Sequence, residues 1–137
     1  MQYLLIAVSL VSGCKRLSQR DRDDELLTHF GLRGAASHDS SMVALRQEVL
    51  RHTPLGSGSA AVVAYLDSLG FPDAPSGSTR RRTFAEPGAV VIEARLEHHP
   101  HHWYDIAPCN YTHDVQFALD AGNRLTDVRI AESGSCM

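Results

Sequence analysis

The chain has 137 residues, with 13 Lys and Arg against 16 Asp and Glu, a formal net charge of −3, and 43% hydrophobic and 21% charged residues. That length supports one folded domain with a modest core, not several. Neither a basic face nor an acidic tail is present, which argues against nucleic acid as a partner. The only basic run, Arg80-Arg81-Arg82, lies in a Ser/Gly/Pro-rich stretch and reads as a solvated loop.

Residues 1–13 contain no charged side chain, and the run from Leu4 to Val11 is mostly apolar. The run is shorter than the ~20 residues that span a bilayer, but it fits the h-region of a secretory signal. It closes on Val11-Ser12-Gly13-Cys14, which resembles a bacterial lipobox. That resemblance implies cleavage after Gly13, a signal peptide over 1–13, and lipid attachment at Cys14. In that class three acyl chains, palmitate among them, hold the protein to the membrane, and two or more chains anchor stably. Lys15 stands where an aspartate would favour the inner membrane, so the same resemblance implies the periplasmic face of the outer membrane. The alternative is a buried first strand or helix of a cytosolic domain.

Residues 14–38 read as a tether. Arg20-Asp21-Arg22-Asp23-Asp24-Glu25 is charged throughout, and Leu26, Leu27, Phe30 and Leu32 allow one or two helical turns ended by Gly31 or Gly34. Periodicity predicts a helix over 39–52, with Met42, Leu45 and Val49 on one face, Asp39, Ser40 or Ser41 as cap, and Pro54 as the stop. A second helix is predicted over 57–69, where Val62, Leu66 and Leu69 form a stripe and Ser57 or Ser59 caps. Gly70 fits the left-handed position after it, with Phe71 touching back on Leu66. The short link at 53–58 implies two roughly antiparallel neighbours. Residues 73–88 read as a long loop.

Strand periodicity then takes over. Val90, Ile92, Ala94 and Leu96 alternate with Glu93, Arg95 and Glu97, the pattern of a strand with one wet face. Val115, Phe117 and Leu119 repeat it, Asp120-Ala121-Gly122-Asn123 is a turn, and Val128 and Ile130 return inward. Leu125 is out of phase, which predicts a bulge near the turn. A further short strand is expected over 103–106. The fold class is α+β: two helices packed on one face of a three- to four-stranded antiparallel sheet, order α-α-β-β-β, as a single domain over 39–137.

The segments Leu45-Arg46-Gln47-Glu48-Val49-Leu50, Pro54-Leu55-Gly56-Ser57, and the strands around Val115 to Leu119 and Gly122 to Ile130 are similar to small bacterial lipoproteins. The architecture resembles the outer-membrane assembly lipoproteins of the SmpA/OmlA (BamE-like) type and the related β-lactamase-inhibitor-like repeat. Gly56-Ser57-Gly58-Ser59 stands where those families open their second helix. The surface tract that marks the assembly lipoproteins upstream of their helices has no match here. The resemblance implies a non-enzymatic, protein-binding or scaffolding role at the envelope, with an unidentified protein partner.

Chemistry concentrates in histidine. Five of the 8 histidines, His98, His99, His101, His102 and His113, fall within 98–113, with Asp105 and Asp114 nearby. Imidazole suits zinc, copper or nickel, and carboxylates can complete a site. A second reading is therefore a periplasmic lipoprotein that binds zinc or copper through this cluster, although the spacing matches no standard zinc pattern. The bland alternative is a solvated, histidine-rich loop that needs no cofactor. With Cys14 lipidated, Cys109 and Cys136 form an even pair in an oxidising compartment, so a disulfide is expected; two free thiols are the alternative. Trp103, Tyr104 and Tyr111 read as packing or as a partner-binding spot. Neither a nucleophile elbow, a P-loop nor an HExxH is present, and no catalytic residue is expected.

Overall fold

The computed structural model describes residues 18–34, 37–98 and 109–136. The lipobox with Cys14, the residues His99, His101, His102, Trp103 and Tyr104, and the strand expected over 103–106 lie outside the described residues.

Among the described residues three helices, α1 (Gln19–His29), α2 (His38–His52) and α3 (Ser59–Ser68), precede four strands, β1 (Thr79–Glu86), β2 (Ala89–His98), β3 (Cys109–Leu119) and β4 (Leu125–Cys136). The strands form one antiparallel sheet in the order β1-β2-β3-β4. The class is α+β, with one helix and one strand more than the predicted order. One core joins Leu26, Leu27, Phe30, Leu45, Val49, Val62 and Leu66 of the helical half to Ile92, Ala94, Leu96, Val115, Phe117, Leu119 and Val128 of alternating strand positions.

Residues assigned to a tether form α1. Ser18 caps it through a reciprocal box with Asp21, satisfying first-turn N–H groups that would otherwise be orphaned. Leu26 and Leu27 lie inside the core at 1% and 0% exposure, so the charged run Arg20–Glu25 is the first turns of a packed helix. α2 starts earlier than predicted because Ser37, not Asp39, is the cap, with Ser40 completing its box. At α3 the cap is Gly58 with no side-chain bond. Ser57 instead donates its hydroxyl to the Pro54 carbonyl at 2.6 Å. The end of α3 matches expectation. Gly70 takes φ 79°, while the Phe71 and Gly70 N–H groups bond back to Leu66 and Asp67 at 3.0 and 3.1 Å.

The predicted loop over 73–88 contains β1. Its arginines and threonines show no apolar alternation, so pairing with β2 is what makes it a strand. Pro87-Gly88, with Gly88 at φ 74°, closes the hairpin; a type II turn requires such a left-handed residue and favours proline before it. The bulge predicted near Leu125 is present as a register shift at Ala118/Leu119.

The second face of β2 is not wet: Val91 and Glu93 are 0% and 1% exposed. Arg82 Nε and Gln116 Nε2 reach the Glu93 carboxylate at 2.6 and 2.7 Å, and Arg95 grips Asp114 with two bonds at 2.8 and 3.1 Å. Long charged side chains thus roof this face with their stems and satisfy one another with their heads.

Candidate metal centre

The inward phase of β2, β3 and β4 continues past the apolar run of each strand into a polar residue. On β2 it ends at His98 after Leu96, on β3 at His113 before Val115, and on β4 at Glu132 after Ile130. Register sets Leu96 opposite His113 and His113 opposite Glu132. Side chains two apart on a strand share a face, so these three groups meet at one end of the core. Helix α1 covers that end. Gln19, Arg22 and Asp23 stand at i, i+3 and i+4, one face of the helix, and point at the same place.

The geometry is a chain of polar contacts that is buried at its two histidines and reaches the surface at Glu25. Glu25 Oε2 lies 2.8 Å from His98 Nδ1, and His98 Nε2 lies 2.6 Å from His113 Nδ1, with the two rings nearly perpendicular. His113 Nε2 then faces Glu132 Oε2 at 2.7 Å and Asp23 Oδ1 at 3.7 Å. His98 and His113 are 1% and 0% exposed, and Asp23 is 3% exposed.

Donor arithmetic runs along this chain. The carboxylate of Glu25 accepts, so His98 Nδ1 carries the proton. With one proton on His98, its bare Nε2 accepts from His113 Nδ1; with two, the direction reverses and His113 Nε2 holds the proton toward Glu132. In the first arrangement a lone pair on His113 Nε2 faces the two carboxylates, the form a metal ion would bind. His113 Nε2 is fully buried and lies 2.7 Å from Glu132 Oε2, an ion-pair separation at an angle that does not meet hydrogen-bond geometry. Burial favours the neutral ring by holding the His113 pKa below its ordinary value. The Glu132 charge opposes this without overcoming it, and His98 adds to the depression.

The carboxylates are held from the other side. Arg22 donates to Glu132 Oε1 from Nε and Nη2 at 3.1 and 2.7 Å, and its guanidinium lies 3.7 Å from the centre of the Tyr111 ring. That ring occupies the space a Cβ at Gly134 would need, since its nearest atom would stand 2.7 Å away. Desolvation raises the Glu132 pKa, but hydrogen bonds from Gln19 and Arg22 outweigh it and hold the carboxyl below its usual range. Asp23 Oδ2 meets His38 Nδ1 at 2.8 Å.

One nitrogen and two carboxylates therefore converge, with all three ligand atoms within 4.8 Å of one another. The His113 separations of 2.7 and 3.7 Å bracket the roughly 3.3 Å between two ligand atoms bound about 2.05 Å from a tetrahedral ion. Zinc, or another borderline divalent cation, fits this donor set. The chain Glu25–His98–His113 is the outer support such a ligand commonly has, fixing its tautomer and ring orientation.

Of the predicted histidines, the structure joins His98 and His113. Of these two described residues, His113 is placed to ligate, and His98 stands behind it. Asp23, Glu25, Gln19, Arg22, His38 and Glu132 belong to the site and were not anticipated. Cys109 and Cys136 face each other in the β3–β4 register. Comparison with known proteins returns no match to a family model, to a curated protein or to a solved structure.

Proposed function

We propose that the folded domain is a binding module for a divalent transition-metal ion of the zinc class, held by Asp23, His113 and Glu132. The observation that carries this reading is the buried, hydrogen-bond-free Nε2 of His113 aimed between two carboxylates. A nitrogen in that setting takes either a proton shared with Glu132 or a metal ion in its place, and the second, nearby carboxylate of Asp23 favours the ion. With one ligand on α1 and one each on β3 and β4, a bound ion would fasten the helix to the sheet. The role is that of a binding protein, not an enzyme. Titration of zinc chloride into the purified protein should show one submicromolar equivalent. His113→Ala should weaken it by at least about 100-fold, more than the 10–100-fold typical of outer-shell changes. Micromolar binding unchanged by that substitution would leave only nonspecific capture by the histidine tract.

The same proposal places the module at the cell envelope, anchored through Cys14 on the periplasmic face of the outer membrane, with a protein partner there. Val11-Ser12-Gly13-Cys14, Lys15 and the lipoprotein resemblance support this part. Among the described residues no helix is long and apolar enough to cross a membrane. Cys14→Ser should leave a full-length precursor that fractionates away from lipidated membrane protein. A variant still cut after Gly13 and still membrane-bound would contradict the anchor.

A further inference from the structure

We infer that Gln19 gates the metal centre, standing as an internal competitor that an incoming ion must displace; this rests on the metal reading above. The Gln19 amide nitrogen donates to Asp23 Oδ1 at 2.9 Å and to Glu132 Oε2 at 2.7 Å. Those are the two carboxylate oxygens nearest His113 Nε2. An amide nitrogen has two protons, so both are committed to candidate ligand atoms. The same nitrogen lies 3.3 Å from His38 Nδ1. Arg22 fixes the orientation, because its Nη2 donates to Gln19 Oε1 at 2.9 Å and so keeps the amide oxygen away from the site.

Access explains why this residue controls the site. His113 has no exposed surface, so an ion cannot reach it directly. A cleft of about 200 Å³ opens between α1 and the start of α2, and Gln19, Asp23 and His38 all line it. An ion entering from solvent meets Asp23 and the half-exposed His38 first. To bind the Asp23 and Glu132 oxygens nearest His113, it must displace the two hydrogen bonds that the Gln19 amide makes to them. Entry thus exchanges two neutral N–H donors for one cation at the same oxygens. Gln19 also keeps those oxygens satisfied in the empty site, which lets two carboxylates stand close together without metal.

The test is zinc binding to the wild-type protein and to Gln19→Met, which keeps the length of the side chain and removes both donors. The dissociation constant should fall about tenfold, the scale of one to two competing hydrogen bonds lost. Unchanged or weaker binding by a folded Gln19→Met, with wild-type binding still dependent on His113, overturns the gate and leaves the metal reading intact. Absence of His113-dependent zinc binding in either protein overturns both. The wild-type protein supplies a second readout that needs no variant. On addition of one equivalent of zinc, the side-chain amide resonances of Gln19 should shift toward those of a free amide. Resonances that stay fixed while zinc binds also overturn the gate.

Discussion

Leu27→Ala should cost the domain about 2–5 kcal/mol, the range for truncating a fully buried leucine. Leu27 has no exposed surface and belongs to the core shared by the helices and the sheet. The transfer free energy of its lost methyl groups is only part of that cost. The rest is the cavity left in the core beneath α1, which close packing only partly fills by relaxing. The loss should appear in urea unfolding as a lower midpoint with an unchanged slope. A change below about 1 kcal/mol would mark α1 as a spacer lying on a complete domain, not a part of its core. The same result bears on the metal centre, because α1 presents Asp23 and Gln19 to the sheet only while Leu26 and Leu27 hold it down.

The second large effect concerns the far end of the β3–β4 hairpin. We propose that Cys109 and Cys136 form a disulfide in the oxidised protein. Register places them directly opposite each other. Opposed residues in an antiparallel pair have Cα atoms about 4.5–5.5 Å apart, within the window of about 4.4–6.8 Å that a disulfide spans. The bridge would close a 27-residue interval (136 − 109). Chain entropy makes that worth roughly 3.5 kcal/mol relative to the open chain. It would also tie down the strand end that otherwise frays, two pairs beyond the Tyr111–Gly134 contact that supports Arg22. Replacing both cysteines with serine should lower stability by about 3–4 kcal/mol under oxidising conditions and by little after reduction. Two thiols titrating freely in the non-reduced, denatured protein would refute the bridge.

The β2–β4 meander was legible because its side chains follow the strand period over long runs, and Leu125 announced its own bulge by breaking phase. The α3 ending was legible because only glycine adopts the φ of Gly70 at no cost. β1 was not legible. Thr79–Glu86 buries no alternating apolar face and becomes a strand by pairing, a tertiary cause that no local pattern encodes. α1 was obscured by its charged first turns, although Ser18 and Asp21 spell a capping box before the Leu26-Leu27 pair.

The site was half legible for a related reason. Composition drew attention to histidines, but composition cannot tell a ligand from its support. Phase could have: His98, His113 and Glu132 each continue the inward series of a strand by one step, where a polar residue needs a partner. Asp23 lies on another element, 109 positions before Glu132 in the chain (132 − 23), and only the docking of α1 brings them together.

The central claim is that one imidazole and two carboxylates bind the ion, and X-ray absorption at the zinc K-edge of the one-equivalent complex reads that donor set directly. The account predicts nitrogen and oxygen donors near 2.0–2.2 Å, outer-shell scattering from a single imidazole, and no sulfur. Scattering from three or more imidazoles, more than His113 and the neighbouring His38 supply, would move the ion to the histidine tract beyond His98. A sulfur shell near 2.3 Å would move it to the cysteines, and either result would contradict the centre at Asp23, His113 and Glu132.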